Sequence, residues 1–121
     1  MEITKNKKIA IVILNWNGSA LMEKYLPSVV RYSPAEWADV IVADNGSTDD
    51  SLQMLADKFP SVQIIWMDKN YGFAEGYNQA LKQISHPYCV LLNSDVEVTP
   101  KSMRMRKVIL DELERKRANK N

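Results

Sequence analysis

The chain alternates short continuous apolar runs with longer stretches in which apolar residues recur every three or four positions. Ile9-Ala-Ile-Val-Ile-Leu14 is rich in β-branched residues and predicts a strand buried on both faces. Between Ala20 and Tyr32, Met22, Leu26, Val29 and Val30 share one helical face, and Pro34 stops the pattern. Val40 to Ala43 predicts a second buried strand. Asp44 to Asp50 is a polar turn and helix start, with Ser47 or Thr48 as the cap and Asp49 and Asp50 at the positive end of the dipole. Leu52, Leu55 and Phe59 form the inward stripe of that helix, which Pro60 ends. Val62 to Trp66 predicts a third strand, and Phe73, Tyr77, Leu81 and Ile84 one face of a third helix. His86-Pro87 is a turn with its imidazole facing solvent. Tyr88 to Leu92 predicts a fourth strand, and Pro100 opens a last helix through about Ala118.

Strands alternating with helices of this size make βαβ units and a parallel sheet. Right-handed crossovers then place helices on both faces. The expected fold is α/β: a three-layer α/β/α domain, residues 1–100, with a mostly parallel sheet of strand order 3-2-1-4. A basic helix, residues 101–121, follows it.

Composition narrows the function classes. Hydrophobic residues are 45% and charged residues 26%, as in an ordinary globular domain. A formal net charge of +1 gives no whole-molecule attraction to nucleic acid. Charge is concentrated beyond Pro100, where Lys101, Arg104, Arg106, Lys107, Arg115, Lys116, Arg117 and Lys120 face only Asp111, Glu112 and Glu114. Met105, Val108, Ile109 and Leu113 lie near one stripe of this segment. It reads as a surface helix with one packed edge, or as an interaction helix for a partner or an anionic membrane surface. The single cysteine, Cys89, sits in an apolar run and reads as a small buried residue in a reducing compartment. No apolar run approaches the ~20 residues of a membrane span, and Ile9 to Leu14 is too short for a signal core. The expected location is cytoplasmic, extending to the inner face of the membrane.

The chemistry is expected where the strands end. In open parallel sheets ligands bind beyond the carboxyl ends of the strands. Four polar segments lie there: Asn15-Trp-Asn-Gly18, Asp44 to Asp49, Asp68-Lys-Asn-Tyr-Gly72 and Asn93-Ser-Asp-Val-Glu97. Asp95, with Glu97 near it, offers carboxylates for a hard divalent cation bridging to phosphate oxygens. The same pattern also reads as a turn or helix cap before Pro100. Gly46 and Gly72 suit turns. Gly76 falls inside a predicted helix, at a cost of about 1 kcal/mol relative to Ala, which calls for close approach of a ligand or a neighbouring strand. Gly72-Phe-Ala-Glu-Gly76 is not a dinucleotide fingerprint, and no Walker lysine follows any loop. Trp16, Trp37 and Trp66 are explained mainly by packing, with base stacking a second reading for Trp16.

Four stretches together carry a resemblance: Ile11 to Gly18, Val40 to Asp49, Asn70 to Asn78, and Val90 to Glu97. In order and spacing they resemble family-two glycosyltransferases with the GT-A fold, whose nucleotide-sugar-binding half is Rossmann-like. The Asn93-Ser-Asp95 form is similar to the rhamnosyltransferase-like branch. The resemblance implies transfer of a sugar from a nucleoside diphosphate to a hydroxyl acceptor, with inversion. It implies that Asp44 contacts base or ribose, that Asn15 and Asn17 flank the base, and that Asn70, Gly72, Gly76 and Asn78 line the nucleotide edge. Asp95 would take the metal-binding place, with Mg²⁺ or Mn²⁺, and Asn93 stands where a first acid is common. The acceptor would be a saccharide or lipid-linked hydroxyl. The family's acceptor half and general base are expected to be missing from these residues, so no catalytic base is assigned. Glu75 as a base competes with ordinary helix-surface solvation. The apolar surface left bare would be covered by a homodimer or by the terminal helix.

Three other readings compete. One is a fragment that binds nucleotide-sugar without turnover. Another is a phosphoacceptor receiver domain, which needs an acidic pocket after its first strand where this chain has Asn15-Trp-Asn17. The third is an interaction module acting through the basic segment.

Overall fold

The computed structural model describes residues 9–33 and 35–92. Its elements run β1 (Ile9–Asn15), α1 (Ser19–Tyr32), β2 (Ala38–Asp44), α2 (Ser51–Lys58), β3 (Gln63–Trp66), α3 (Phe73–Leu81) and β4 (Tyr88–Leu92). The four strands form one sheet in the order β3-β2-β1-β4, and all three pairings are parallel. This is the expected α/β fold and strand order. The expected final helix over 101–121 lies outside the described residues.

β1 explains the layering. Successive side chains of a strand point to opposite faces. Ile9, Ile11 and Ile13 therefore pack with Met22, Leu26 and Val29 of α1 and with Met54 and Leu55 of α2. Ala10 and Val12 pack on the other face with Tyr77 and Ala80 of α3. A strand covered on both sides has no use for polar alternation, which is why its sequence is a continuous apolar run.

Several side chains depart from their expected places. α2 turns Met54 inward beside Leu55 and leaves Leu52 half-buried. Neither Ser47 nor Thr48 caps α2, whose N-cap residue is Asp50 with no side-chain cap bond. Phe73 opens α3 with 68% of its surface exposed, so the inward face is Gly76, Tyr77 and Ala80. Of the tryptophans only Trp37 is buried; Trp16 and Trp66 are 55% and 64% exposed. β3 and β4 are the edge strands of the described sheet. Cys89, on the edge strand β4, is exposed and not buried as expected.

α1 runs through Pro27. Proline removes one helix hydrogen bond. Position 27 is on the exposed side, where water can satisfy the freed carbonyl.

His86 is a larger departure. Its Nε2 lies 2.7 Å from Oδ2 of Asp39, with side-chain exposures of 13% and 5%. The pair spans β1 at the amino-terminal end of the sheet, since Asp39 is in register with Ala10 and His86 precedes β4 by two residues. The imidazole is a half-buried tie from the segment before β4 to β2, not a solvent-facing turn residue.

Candidate functional site

At the carboxyl edge, the loops after β1, β2 and β3 are bonded to one another. Asn15 and Asp44 are in register as the last residues of their strands, and both are almost fully buried. Asn15 Nδ2 donates to Asp44 Oδ1 (3.0 Å) and to Ser47 Oγ (3.2 Å). Its Oδ1 accepts the Gly18 N–H at 3.1 Å. The other Asp44 oxygen accepts the Ser47 N–H at 3.0 Å. Two buried polar side chains thus satisfy each other and both turns.

Asn17 makes the second tie. It has φ +51°, a left-handed conformation that asparagine tolerates better than most residues. Its Oδ1 accepts the N–H groups of Thr48 (2.7 Å) and Asp49 (3.1 Å), and its own N–H donates to Ser47 Oγ at 2.8 Å. The positive φ is held by these bonds.

The third loop closes on Asn45, which sequence reading passed over. Asn45 Nδ2 donates to Asn70 Oδ1 (3.1 Å) and to the Gly72 carbonyl (3.0 Å), and its Oδ1 accepts the Tyr71 N–H at 2.9 Å. Beside it the backbone of Gly46, at φ +76°, passes so close to the next loop that an added Cβ would stand 2.6 Å from the Lys69 carbonyl carbon. A Cβ on Gly76 would meet Asn45 Nδ2 at 2.8 Å and Leu14 at 3.1 Å. Gly76 is therefore required by a strand end and its loop. The available signal was position: Asn45 follows a buried strand directly and precedes a turn glycine.

These ties frame a cavity of about 270 Å³ lined by Leu14, Trp16, Asn45, Asn70, Gly72 and Phe73. Trp16 and Phe73 bring exposed rings to it, while Asn45 and Asn70 bring amides. Phe73 packs edge-on against Tyr77, with centroids 5.2 Å apart. The buried Tyr77 hydroxyl donates to the Leu92 carbonyl at 2.9 Å, tying α3 to the end of β4. Burial pushes the Tyr77 phenol above its usual range, so it stays a neutral donor.

Of the expected site residues, Asn15, Asn17, Asp44, Asn70, Gly72 and Gly76 are brought together at this edge. Asn78 is exposed on α3 and does not line the cavity. Asn93 and Asp95 lie outside the described residues. Among the described residues no group of three or more His, Cys, Asp or Glu gathers as a metal site. Asp44 has no exposed surface, and both its oxygens are bonded within the protein. Glu75 is exposed and accepts from Gln79 one helical turn on.

An open parallel α/β sheet with a cavity beyond its strand ends is the arrangement in which α/β domains bind ligands at their carboxyl edge. Residues 10–115 match the family described as Glycosyl transferase family 2, and the chain belongs to that family. Among curated relatives it is similar to the glycosyltransferase YfnE of Bacillus subtilis, at 32% identity over 74% of this chain and 23% of that one. It is also similar to the teichoic acid poly(glycerol phosphate) polymerase of Staphylococcus epidermidis, at 26% identity over 75% of this chain and 13% of that one. A third relative is the N-acetylglucosaminyl-diphospho-decaprenol L-rhamnosyltransferase of Mycobacterium tuberculosis, at 23% identity over 78% and 34%. The chain thus spans about a third or less of the length of these relatives.

Solved structures agree on the fold. TarS of S. aureus, residues 1–349, superposes with a TM-score of 0.75 at 22% identity, covering 87% of this chain and 32% of that one. It has also been solved with UDP-GlcNAc. A mannosyltransferase from Pyrobaculum calidifontis in complex with GDP-Man and Mn²⁺ superposes with a TM-score of 0.63 at 20% identity, covering 78% and 29%. No helix among the described residues is long and apolar enough to cross a membrane.

Proposed function

We propose that this chain binds a nucleoside-diphosphate sugar at the carboxyl edge of its sheet and forms the donor side of an inverting transfer to a hydroxyl acceptor. The observation that carries this reading is the cavity beyond the strand ends, lined by the exposed rings of Trp16 and Phe73 and by the side chain of Asn70. Exposed aromatic rings beside an amide suit a nucleotide base, which presents a flat face and a hydrogen-bonding edge. The structures of TarS with UDP-GlcNAc and of the mannosyltransferase with GDP-Man support it by fold.

In this reading Asn15, Asn17 and Asp44 fix the walls of the site through bonds already made, and Trp16, Asn70 and Phe73 meet the ligand. Gly72 and Gly76 permit the close approach of loop and helix, and Asn78 lies on the same helix farther from the cavity. The described residues do not hold a metal by themselves. The metal assignment therefore rests on Asp95, three residues beyond the end of β4 in sequence, with Asn93 beside it as a neutral hydrogen-bonding group. Mg²⁺ or Mn²⁺ bound there would neutralise charge on the leaving diphosphate. The acceptor would be a saccharide or lipid-linked hydroxyl. The basic segment 101–121 would serve contact with a membrane surface or a second copy of the chain. The working location would be the cytoplasm or the inner face of the membrane.

The test is thermal. UDP, GDP and dTDP are added in turn, with and without Mn²⁺. A ligand that binds only the folded state adds RT ln(1 + [L]/Kd), about 2.7 kcal/mol at a hundredfold excess. At least one nucleotide should raise Tm, more so with Mn²⁺, and Asp95→Asn should remove the metal-dependent part. No shift with any nucleotide would end the proposal.

A further inference from the structure

The hydrogen bonds of Asn45 settle the direction of a second amide. The Tyr71 N–H can only donate and the Gly72 carbonyl can only accept. Asn45 bonds both, so its oxygen faces Tyr71 and its nitrogen faces Gly72. The remaining hydrogen of that nitrogen meets the Asn70 side chain at 3.1 Å. The Gly72 N–H meets the same Asn70 atom at 2.8 Å. Two donors on one atom require it to be oxygen. The Asn70 amide nitrogen is left over, with no protein partner among the described residues, on an exposed residue that lines the cavity.

We infer that Asn45 is a positioning residue: it locks the Asn70 side chain so that its NH₂ group is offered to the cavity as a hydrogen-bond donor. The ligand half of this inference rests on the nucleotide reading above; the orientation half does not. The donor would meet an acceptor atom of the nucleotide, a base carbonyl or ring nitrogen, in the cavity that the Trp16 and Phe73 rings also line. The chemistry also explains why position 45 carries an amide. A carboxylate of the same shape accepts and cannot donate, so at position 45 it would oppose the Asn70 oxygen and the Gly72 carbonyl. Asn45 is 2% exposed, so it acts through Asn70 and does not itself present a surface to a ligand.

The test uses the full chain with ¹⁵N-labelled side chains, the two amides being assigned from the signals lost in Asn45→Asp and Asn70→Asp. In the wild type, the Asn45 NH₂ protons should exchange with water far more slowly than those of Asn70. The Asn70 signals alone of the two should shift on addition of the nucleotide that stabilises the protein. Asn70→Ala should weaken that nucleotide about fivefold to tenfold, the worth of one neutral hydrogen bond. Asn45→Ala should weaken it similarly, and the double variant should be within twofold of Asn70→Ala alone. A merely structural Asn45 would lower Tm yet leave the two losses multiplicative, and that result overturns the proposal. Rapid exchange at the Asn45 amide overturns the orientation on wild-type protein, whether or not any variant folds. If UDP, GDP and dTDP all fail to bind the wild type, the nucleotide reading and the donor role of Asn70 fall together, while the exchange rates still decide the orientation.

Discussion

Asp49 caps a helix to which it does not belong. Its Oδ2 accepts the N–H of Ser19, the first residue of α1, at 3.2 Å. Its Oδ1 accepts the N–H of Ser51, the first residue of α2, at 2.9 Å, and the Ser51 hydroxyl at 2.5 Å. One carboxylate thus bridges the positive ends of two helices, and neither helix has a side-chain bond from its own N-cap residue. The loops after β1 and β2 are held in register by this charge as well as by Asn15 and Asn17.

The first prediction concerns acid. Burial opposes the Asp49 charge, but the Ser51 hydroxyl and the N–H groups of Ser51 and Ser19 outweigh it, and the pKa falls below the usual 3.8. A depressed carboxylate stabilises the fold above its unfolded pKa and loses that contribution as pH falls through the folded value. Asp49→Asn should therefore melt below the wild type at pH 7, and the gap should close below pH 3.8. A gap in Tm that stays constant from pH 7 to pH 2 would show that the charge of Asp49 contributes nothing.

Two glycines separate backbone strain from lack of space. Gly72 has φ +81° with nothing within 4 Å of an added Cβ, whereas Gly46 has φ +76° and backbone at 2.6 Å. Gly72, with ψ −176°, lies in the extended positive-φ region that is essentially reserved for glycine, so Gly72→Ala should cost only that conformational term, about 1–3 kcal/mol. Gly46→Ala must also push the 69–70 backbone away and should cost about 3 kcal/mol or more. Urea unfolding would rank them, and equal losses would contradict the close approach of the two loops.

The sheet was legible because burial on both faces writes an unmistakable run. Ile9 to Leu14 and Val40 to Ala43 carry no polar alternation, and Gly and Pro punctuate the rest. The convergence of loops was legible too, since it follows from parallel strands and not from side-chain detail. Partners of polar residues were not. Nothing in the local pattern shows that Asn45 reaches Tyr71 and Gly72, or that Asp49 serves α1, 30 residues earlier in the chain. His86 looked like a turn residue because its partner, Asp39, is 47 residues away. Cys89 and Phe73 misled in the opposite direction, since apolar spacing marks a face but not whether a neighbour covers it.

His86 and Asp39 supply a third prediction. Removing one side of a largely buried hydrogen bond costs about 1–3 kcal/mol. His86 Nδ1 is already buried without a partner, so the Asp39 contact is the imidazole's one protein hydrogen bond among the described residues. His86→Ala should lower unfolding free energy by about 1–3 kcal/mol, and the Asp39→Ala/His86→Ala double variant should cost less than the two single losses combined. The pair lies at the amino-terminal end of the strands, opposite the cavity, so nucleotide affinity of the folded variants should be unchanged. Strict additivity in the cycle would mean that the contact contributes no energy.

The last prediction bears on Trp16. More than half of its surface is exposed, at a position directly after a buried strand, and its ring lines the cavity with Phe73. Leaving a large aromatic in water forgoes burial worth a few kcal/mol, so packing within the described residues does not account for it. Stacking of a base on an aromatic ring is worth about 1–3 kcal/mol, and a flat exposed indole is suited to that role. Nucleotide binding should therefore quench tryptophan fluorescence, and the quench should disappear in Trp16→Leu, in which Trp37 and Trp66 remain. The same substitution should weaken the nucleotide about fivefold to a hundredfold and leave the melting temperature of the free protein nearly unchanged, since the ring supports little of the fold. Trp66, at the end of the edge strand and absent from the cavity lining, is the control: Trp66→Leu should keep both the quench and the affinity. Binding undiminished in Trp16→Leu would remove the ring from the site and leave the base to be held by Asn70 and Phe73.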